Sequence, residues 1–218
     1  MISEDATLEE IRLGLAPAIA LAAMFDGWSD AALVSAAQDE GVDPDVARLA
    51  FKGGPMEMVD AWVASVDARM AEHFADGRLD NMPIRERIRT LVWFRLEAIA
   101  GLEESLARAM SIQAMPQNVP AALKQGWSSA DKMWRLAGDT ATDYNHYTKR
   151  AILASIYGAT LAVWKSDMSD DKAETAAFLD RRIEGVMKFE KAKAQFLGKD
   201  REHFDVARFL GRLRYPQR

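Results

Sequence analysis

The chain has 218 residues, 49% of them apolar, a formal charge of −5 and no cysteine. That length buries a substantial core within one domain, or one with a small appendage. The missing cysteines exclude disulfides, thiolate metal sites and cysteine nucleophiles, and they fit a reducing cytoplasm.

Apolar residues recur at helical spacing throughout, with few alternating β-branched runs and no Asn-Gly hairpin signal, which predicts an all-α protein without internal repeats. The opening MISEDATLEE carries neither a basic-then-apolar signal nor an arginine-rich transit pattern, so neither export nor organelle import is expected. Thr7 and Glu10 form a capping box for the first helix. Pro17 is expected to kink or restart that helix before Phe25. The longest uncharged apolar run, Leu13 to Phe25, is too short to span a bilayer and contains Pro17, so any membrane contact is peripheral. Asp26-Gly27-Trp28 reads as a turn, and Ser29 or Asp30 caps a short helix through Gln38. Gly41 breaks the chain, after which Asp43 caps a helix with Pro44 in its first position. Short helix, glycine turn and short helix make a helix-turn-helix layout, and WSDAALVSAAQDEGVDPDVARLAF resembles the N-terminal part of TetR-type regulators. Residues 1 to 60 hold twelve Asp or Glu against three Lys or Arg, a balance of −9 that leaves +4 for the rest. The second short helix offers only Arg48 among Asp43 and Asp45, so duplex phosphates would be repelled. The expectation is a helix-turn-helix remnant without nucleic-acid binding.

Lys52-Gly53-Gly54-Pro55 leads into a helix from about Met56 to Phe74. Pro83 starts another, expected to run through Met110 with Leu91, Phe94, Ile99 and Leu102 among its apolar positions. A looser stretch around Met115-Pro116 and Pro120 precedes a helix to Leu136. A helix from about Thr142 to Trp164 follows, then a turn at Asp167 to Asp171. The next helix runs to about Phe196 with Leu179, Ile183, Val186 and Met187 facing inward. The chain closes with a short helix from Glu202 to Arg214, in which Val206, Phe209, Leu210 and Leu213 repeat at i, i+3, i+4, i+7. Arg201, Arg208, Arg212, Arg214 and Arg218 flank that stripe. A basic amphipathic helix is the pattern of a membrane-surface element, and an amphipathic stripe is equally that of a closing helix packed on its own domain. Gly198-Lys199 supplies a hinge. Three regions follow: 1–54 around the helix-turn-helix, 55–197 as the helical body, and 198–218 as the amphipathic tail.

The most informative stretch is Gly138 to Asp167, GDTATDYNHYTKRAILASIYGATLAVWKSD. Asp143, Tyr147 and Arg150 fall on one helical face, while Ile152, Ile156, Ala159 and Val163 repeat that spacing toward an apolar interior. The run WRLAGDTATDYNHYTKR with the following AILASIYGATL, together with FDGWSDAAL at Phe25 to Leu33, resembles the lipid-binding accessory protein family of ubiquinone (coenzyme Q) biosynthesis. That family supports the hydroxylase acting on demethoxyubiquinone. The resemblance implies a TetR-like fold and a non-enzymatic protein that takes a polyprenyl quinone intermediate from the membrane and presents it to that hydroxylase. It implies no cofactor beyond a bound isoprenoid lipid or quinone intermediate, and a cytoplasmic protein peripherally attached to the inner membrane of a bacterial cell.

Candidate lining for the isoprenoid site is Trp62, Val66, Met70, Trp93, Phe94, Leu153, Ile156 and Tyr157, residues of the kind that equally make a solid core. By resemblance the hydroxylase-docking patch comprises Met133, Ala137, Asp143, His146, Tyr147 and Arg150, with His146 standing where the mitochondrial relatives are expected to carry Trp. Asp143 and Arg150 also suit a cap or an ion pair. The implied membrane contact is Val206, Arg208, Phe209, Leu210, Arg212 and Leu213, and analogy with the fold implies a homodimer through the last two long helices. The alternative reading is a ligand-responsive TetR-type transcription regulator. Asp143/His146 and Asp200/His203 have a metal-compatible i, i+3 spacing, but they fall at helix starts without an accompanying Glu pair, so no metal site is expected. No HExxH, phosphate-binding glycine loop or GxSxG elbow is present.

Overall fold

The first helix, α1 (Leu8–Asp26), opens where the capping box requires. The Glu10 amide donates to Thr7 Oγ1 at 3.3 Å and the Thr7 amide donates to Glu10 Oε2 at 2.8 Å. Two amides that a helix start leaves orphaned are thereby satisfied. α1 does not restart at Pro17 but continues through it. Pro17 faces solvent, so its ring displaces no core side chain. Ile11, Leu15, Ala16, Ile19, Ala20 and Ala23 hold the opposite face in the core.

In this computed structural model the described residues are 2, 3, 5–140 and 144–197, apart from the side chains of 144, 145 and 189–197. Among them all regular structure is helical: α2 (Asp30–Asp39), α3 (Pro44–Ala50), α4 (Pro55–His73), α5 (Ile84–Glu97), α6 (Glu103–Gln113), α7 (Val119–Leu136), α8 (Tyr144–Trp164) and α9 (Ala173–Leu197) follow α1. The chain divides into two units, Met1–Leu179 and Asp180–Arg218. In the second, Ile183 is buried, but Met187 is 48% exposed rather than facing inward.

Within the first unit, Gly27 has φ +68°, a value that suits glycine because no Cβ collides there. This turn swings Trp28 into the core. Its Nε1 donates to the Ser105 carbonyl at 3.0 Å, and its ring lies 5.3 Å from that of Trp62. Ser29 caps α2 and Asp43 caps α3, whose first residue is Pro44.

The single helix expected from Pro83 to Met110 is two. Gly101, at φ +81°, closes a turn after α5, and α6 restarts at Glu103 with a pair of glutamates in its first turn. The apolar spacing runs across this break because Ile99 and Leu106 both remain buried. At the far end Asp167, itself buried, accepts hydrogen bonds from the backbone and hydroxyl groups of Ser169 and Thr175, tying the end of α8 to the start of α9. Burial alone would raise its carboxyl pKa, but these four donors prevail and hold it far below the usual range.

Candidate functional site

Helices α4, α6, α7 and α8, with the end of α5, enclose a cavity of about 580 Å³. Val59, Trp62 and Val66 form one wall, Ile99, Leu106 and Ala109 a second, and Trp127, Ala154, Tyr157 and Leu161 much of the remainder. The cavity opens where its lining reaches the surface, at Ala151, Ser155 and Gly158 of α8 and at Leu123 of α7, which is 71% exposed. A Cβ added at Gly126 or Gly158 would meet no atom within 4 Å, so both glycines border open space. A volume of several hundred Å³ with mostly apolar walls is the usual form of a small-molecule site.

Polar groups are few and concentrated. The Gln113 amide donates to Gln125, whose own amide donates to Asp60; Gln125 lines both the cavity and a smaller cleft of about 280 Å³ between α4 and α7. Burial pushes the Asp60 carboxyl up, against the opposing hydrogen bond from Gln125. On another wall lies Arg95, only 1% exposed. Its Nη1 donates to Asp67, and its Nη2 donates to Ser129 Oγ at 3.2 Å. The guanidinium sits 4.8 Å above the Tyr157 ring. Asp67, 3% exposed, also accepts from Ser129 at 3.2 Å and from Lys132 at 2.9 Å. Desolvation first, and then repulsion from Arg95, lowers the Lys132 pKa. Arg95 Nε has no hydrogen-bond partner among the described residues.

Of the residues that the sequence suggests for this site, Trp62, Val66 and Tyr157 line the cavity. The other five lie elsewhere. Met70 and Leu153 are buried in packed core, and Ile156 is half-buried outside the lining. Trp93 packs edge-on against Trp164 at 5.9 Å and donates to Glu97, and Phe94 stacks on His73 at 4.8 Å. The cause is the phase of α5. Its buried face runs through Ile88, Leu91, Val92, Arg95 and Leu96, which leaves positions 93 and 94 on the flanks.

Beside the cavity mouth, α7 and α8 present an aromatic cluster. Tyr147 is 61% exposed, with its ring 5.9 Å from Trp127 and 5.1 Å from His146. Trp127 belongs to both this cluster and the cavity wall. Of the other members of the sequence-derived patch, Met133 and Ala137 are buried and Asp143 lies outside the described residues; the residues expected to contact a membrane, Val206, Arg208, Phe209, Leu210, Arg212 and Leu213, lie outside them too.

Arg150 is buried as well, 2% exposed. It donates from Nε to Asp131 at 2.6 Å and from Nη1 to Asp139 and the His146 carbonyl, each at 3.1 Å. Asp139 also pairs with Lys149 at 2.7 Å, and Trp134 Nε1 donates to the Lys149 carbonyl at 3.0 Å. Burial opposes ionisation of Asp131 and Asp139, but the bonds and charges of Arg150, Lys149 and Arg135 outweigh it and keep both carboxyls below their ordinary value. Arg87 braces the end of α7, donating to the Ala137 carbonyl at 2.9 Å.

At the N-terminal end, Arg48 of α3 is engaged by Asp30 at 2.8 Å and Asp45 at 3.0 Å. Among the described residues no helix is long and apolar enough to cross a membrane.

Residues 119–190, which contain α7, α8 and the aromatic cluster, match the model of the COQ9 family. The chain is 34% identical over 168 residues to the mitochondrial ubiquinone biosynthesis protein COQ9 of Rattus norvegicus, covering 74% of this chain and 54% of that one. The Homo sapiens protein of the same name is 32% identical over the same length, with 74% and 52% covered. The chain thus spans about half the length of these curated relatives. Among solved structures, a TetR transcriptional regulator from Nitrosomonas europaea ATCC 19718 superposes with a TM-score of 0.63 at 22% identity, covering 79% of this chain and 95% of the regulator. The fold is therefore TetR-like and all-α.

Proposed function

This chain belongs to the COQ9 family, and from that premise we propose that it acts in ubiquinone biosynthesis as a non-enzymatic carrier of a polyprenyl quinone intermediate. The observation that carries this reading is the open, mostly apolar cavity of about 580 Å³ in the TetR-like body. A polyprenyl tail exposed to water costs about 0.8 kcal/mol for each methylene-sized unit, so an enzyme that works on such a molecule outside the bilayer gains from a protein that shields it. Native mass spectrometry of the purified protein, followed by lipid extraction, tests the reading. A quinone or other isoprenoid at near-stoichiometric occupancy is expected; a protein that never carries lipid overturns it.

The partner we assign is the demethoxyubiquinone hydroxylase, docking on the Trp127, His146 and Tyr147 cluster. Aromatic side chains dominate interface energies, and this cluster adjoins the mouth through which a lipid would leave. Loss of hydroxylase co-purification in Tyr147→Ala is the expected result. Membrane attachment is assigned to Val206, Arg208, Phe209, Leu210, Arg212 and Leu213, so deletion from Glu202 onward should abolish liposome flotation. Homodimerisation through α8 and α9 is part of the same proposal, and sedimentation velocity measures it. A DNA-binding regulator is disfavoured by charge: Arg48, the lone base of α3, is engaged by two aspartates, and the surrounding acidic segment repels phosphates.

A further inference from the structure

We propose that the corner between α6 and α7 is a membrane contact separate from the C-terminal tail, a rigid apolar lip that seats the cavity mouth on an anionic bilayer. The proposal rests on the lipid-carrying reading above and names the surface through which the carrier loads. Met115, Val119 and Leu123 are 44%, 40% and 71% exposed. The Val119 amide donates to the Met115 carbonyl at 3.2 Å, which puts Met115 one turn before α7. Four-residue spacing then sets all three along one face. At about 100° per residue, Gly126 lies within about 60° of Leu123 on that face, and both line the cavity. The exposed stripe is therefore the cavity-facing side of α7 continued beyond the cavity. Single apolar residues on a surface need no explanation, but a stripe that runs from solvent into an apolar chamber is a route for an apolar molecule. The α8 side of the mouth is made of Ala151, Ser155 and Gly158, whose small side chains leave it uncovered.

The corner is built to hold its shape. Asn118 Nδ2 donates to the Ile112 carbonyl at 2.8 Å and so closes the end of α6, while Pro116 and Pro120 fix the backbone on either side of it. Charge selects the occupant. In a chain of formal charge −5, residues 105–130 include no Asp or Glu but do include Arg108 and Lys124, and residues 151–164 carry no charge at all. An anionic leaflet attracts bases and repels carboxylates, so both sides of the mouth suit such a surface. Asp60 of α4 approaches α7, but at Gln125, about 200° around the helix from Leu123. Lys124, exposed next to Leu123, brings an ammonium to lipid phosphates while its stem lies along the apolar lip. Trp127, one turn beyond Leu123, joins the lip to the aromatic cluster. Lipid received at one side of the mouth thus reaches the partner surface at the other.

The chain has no cysteine, so Val119→Cys and Glu72→Cys can each carry one environment-sensitive fluorophore in the full-length protein. Glu72 is exposed near the end of α4. That helix runs alongside α7 in the same direction, with Asp60 at Gln125 and Asp67 at Lys132, so Glu72 lies at the opposite end of the body from Val119. With vesicles of phosphatidylcholine and phosphatidylglycerol, emission from position 119 should move to shorter wavelength and emission from position 72 should not. Val119→Ser/Leu123→Ser should take a fluorescent isoprenyl quinone from those vesicles on the order of tenfold more slowly than the wild type, yet bind the same probe from detergent equally well. If the label at 119 stays in water when vesicles are present, or if the double variant loads from vesicles at the wild-type rate, the lip is overturned and lipid carriage stands. A shift at 119 that needs no vesicles and grows with protein concentration assigns the surface to a second copy, and one that needs the hydroxylase assigns it to that partner; either overturns the lip. If the wild type takes up the probe from neither vesicles nor detergent, lipid carriage falls and the lip falls with it.

Discussion

Among the described residues two arginines are buried, and they are buried differently. Arg150 reaches two carboxylates and a carbonyl across the α7 to α8 junction, and none of its polar atoms is orphaned. Arg95 has one carboxylate and one hydroxyl, stacks on Tyr157, and leaves Nε without a partner beside a cavity. A saturated buried cation fixes a junction; one with a buried N–H left unpaired leaves part of its desolvation cost unmet. The contrast also separates Arg150 from Tyr147. The two share one turn of α8, yet the first is interior and the second is surface, so they answer different experiments.

The largest effect should come from Arg150→Ala, which removes the donor to Asp131, Asp139 and the His146 carbonyl at once and should cost about 3–5 kcal/mol in urea unfolding. Arg95→Met should cost less, about 1–3 kcal/mol, since Asp67 keeps Lys132 and Ser129. Equal losses would erase the distinction between the two arginines. Acid sharpens it further. The Asp131 and Asp139 carboxyls are held below their ordinary value, so their contribution is complete above a pH of about 4 and drains away as pH falls through their lowered folded values. Asp139→Asn should be less stable at neutral pH by about 1–3 kcal/mol and should show a flatter acid limb in thermal melts from pH 6 to 2. Tyr147→Ala should be the mildest, within about 0.5 kcal/mol of the parent in stability, while abolishing hydroxylase co-purification.

The helical elements are legible in the sequence because their signals are local. Thr7 with Glu10, Gly27, and Asp43 with Pro44 each mark an end through neighbours three or fewer residues away, and each sits where the spacing predicts. The α5 to α6 break is hidden because one apolar stripe runs on both sides of Gly101. The site is legible only in part. Trp62, Val66 and Tyr157 line the cavity, but a helical wheel cannot tell an empty side from a filled one, so Met70 and Leu153 qualify on equal grounds. Arg95 and Asp67 are absent from the sequence-derived lining although a signal exists for them. Each occupies the buried stripe of its helix, Arg95 within Ile88, Leu91, Val92 and Leu96, and Asp67 within Val59, Trp62, Val66 and Met70. Opposite charges in the apolar phase of two helices are a pattern that periodicity alone can reveal, and they mark a buried pair. Arg150 reads as part of a docking face because its acidic partners, 11 and 19 residues away, lie beyond the reach of a single helix.

Trp28 gives the N-terminal helices a structural role. Its indole is fastened to the Ser105 carbonyl of α6 and packed against Trp62, a wall of the cavity. The Ser105 hydroxyl in turn donates to the Ala20 carbonyl of α1 at 2.6 Å. The segment is therefore not a detachable module. Trimming it away would unseat the masonry of the chamber behind it.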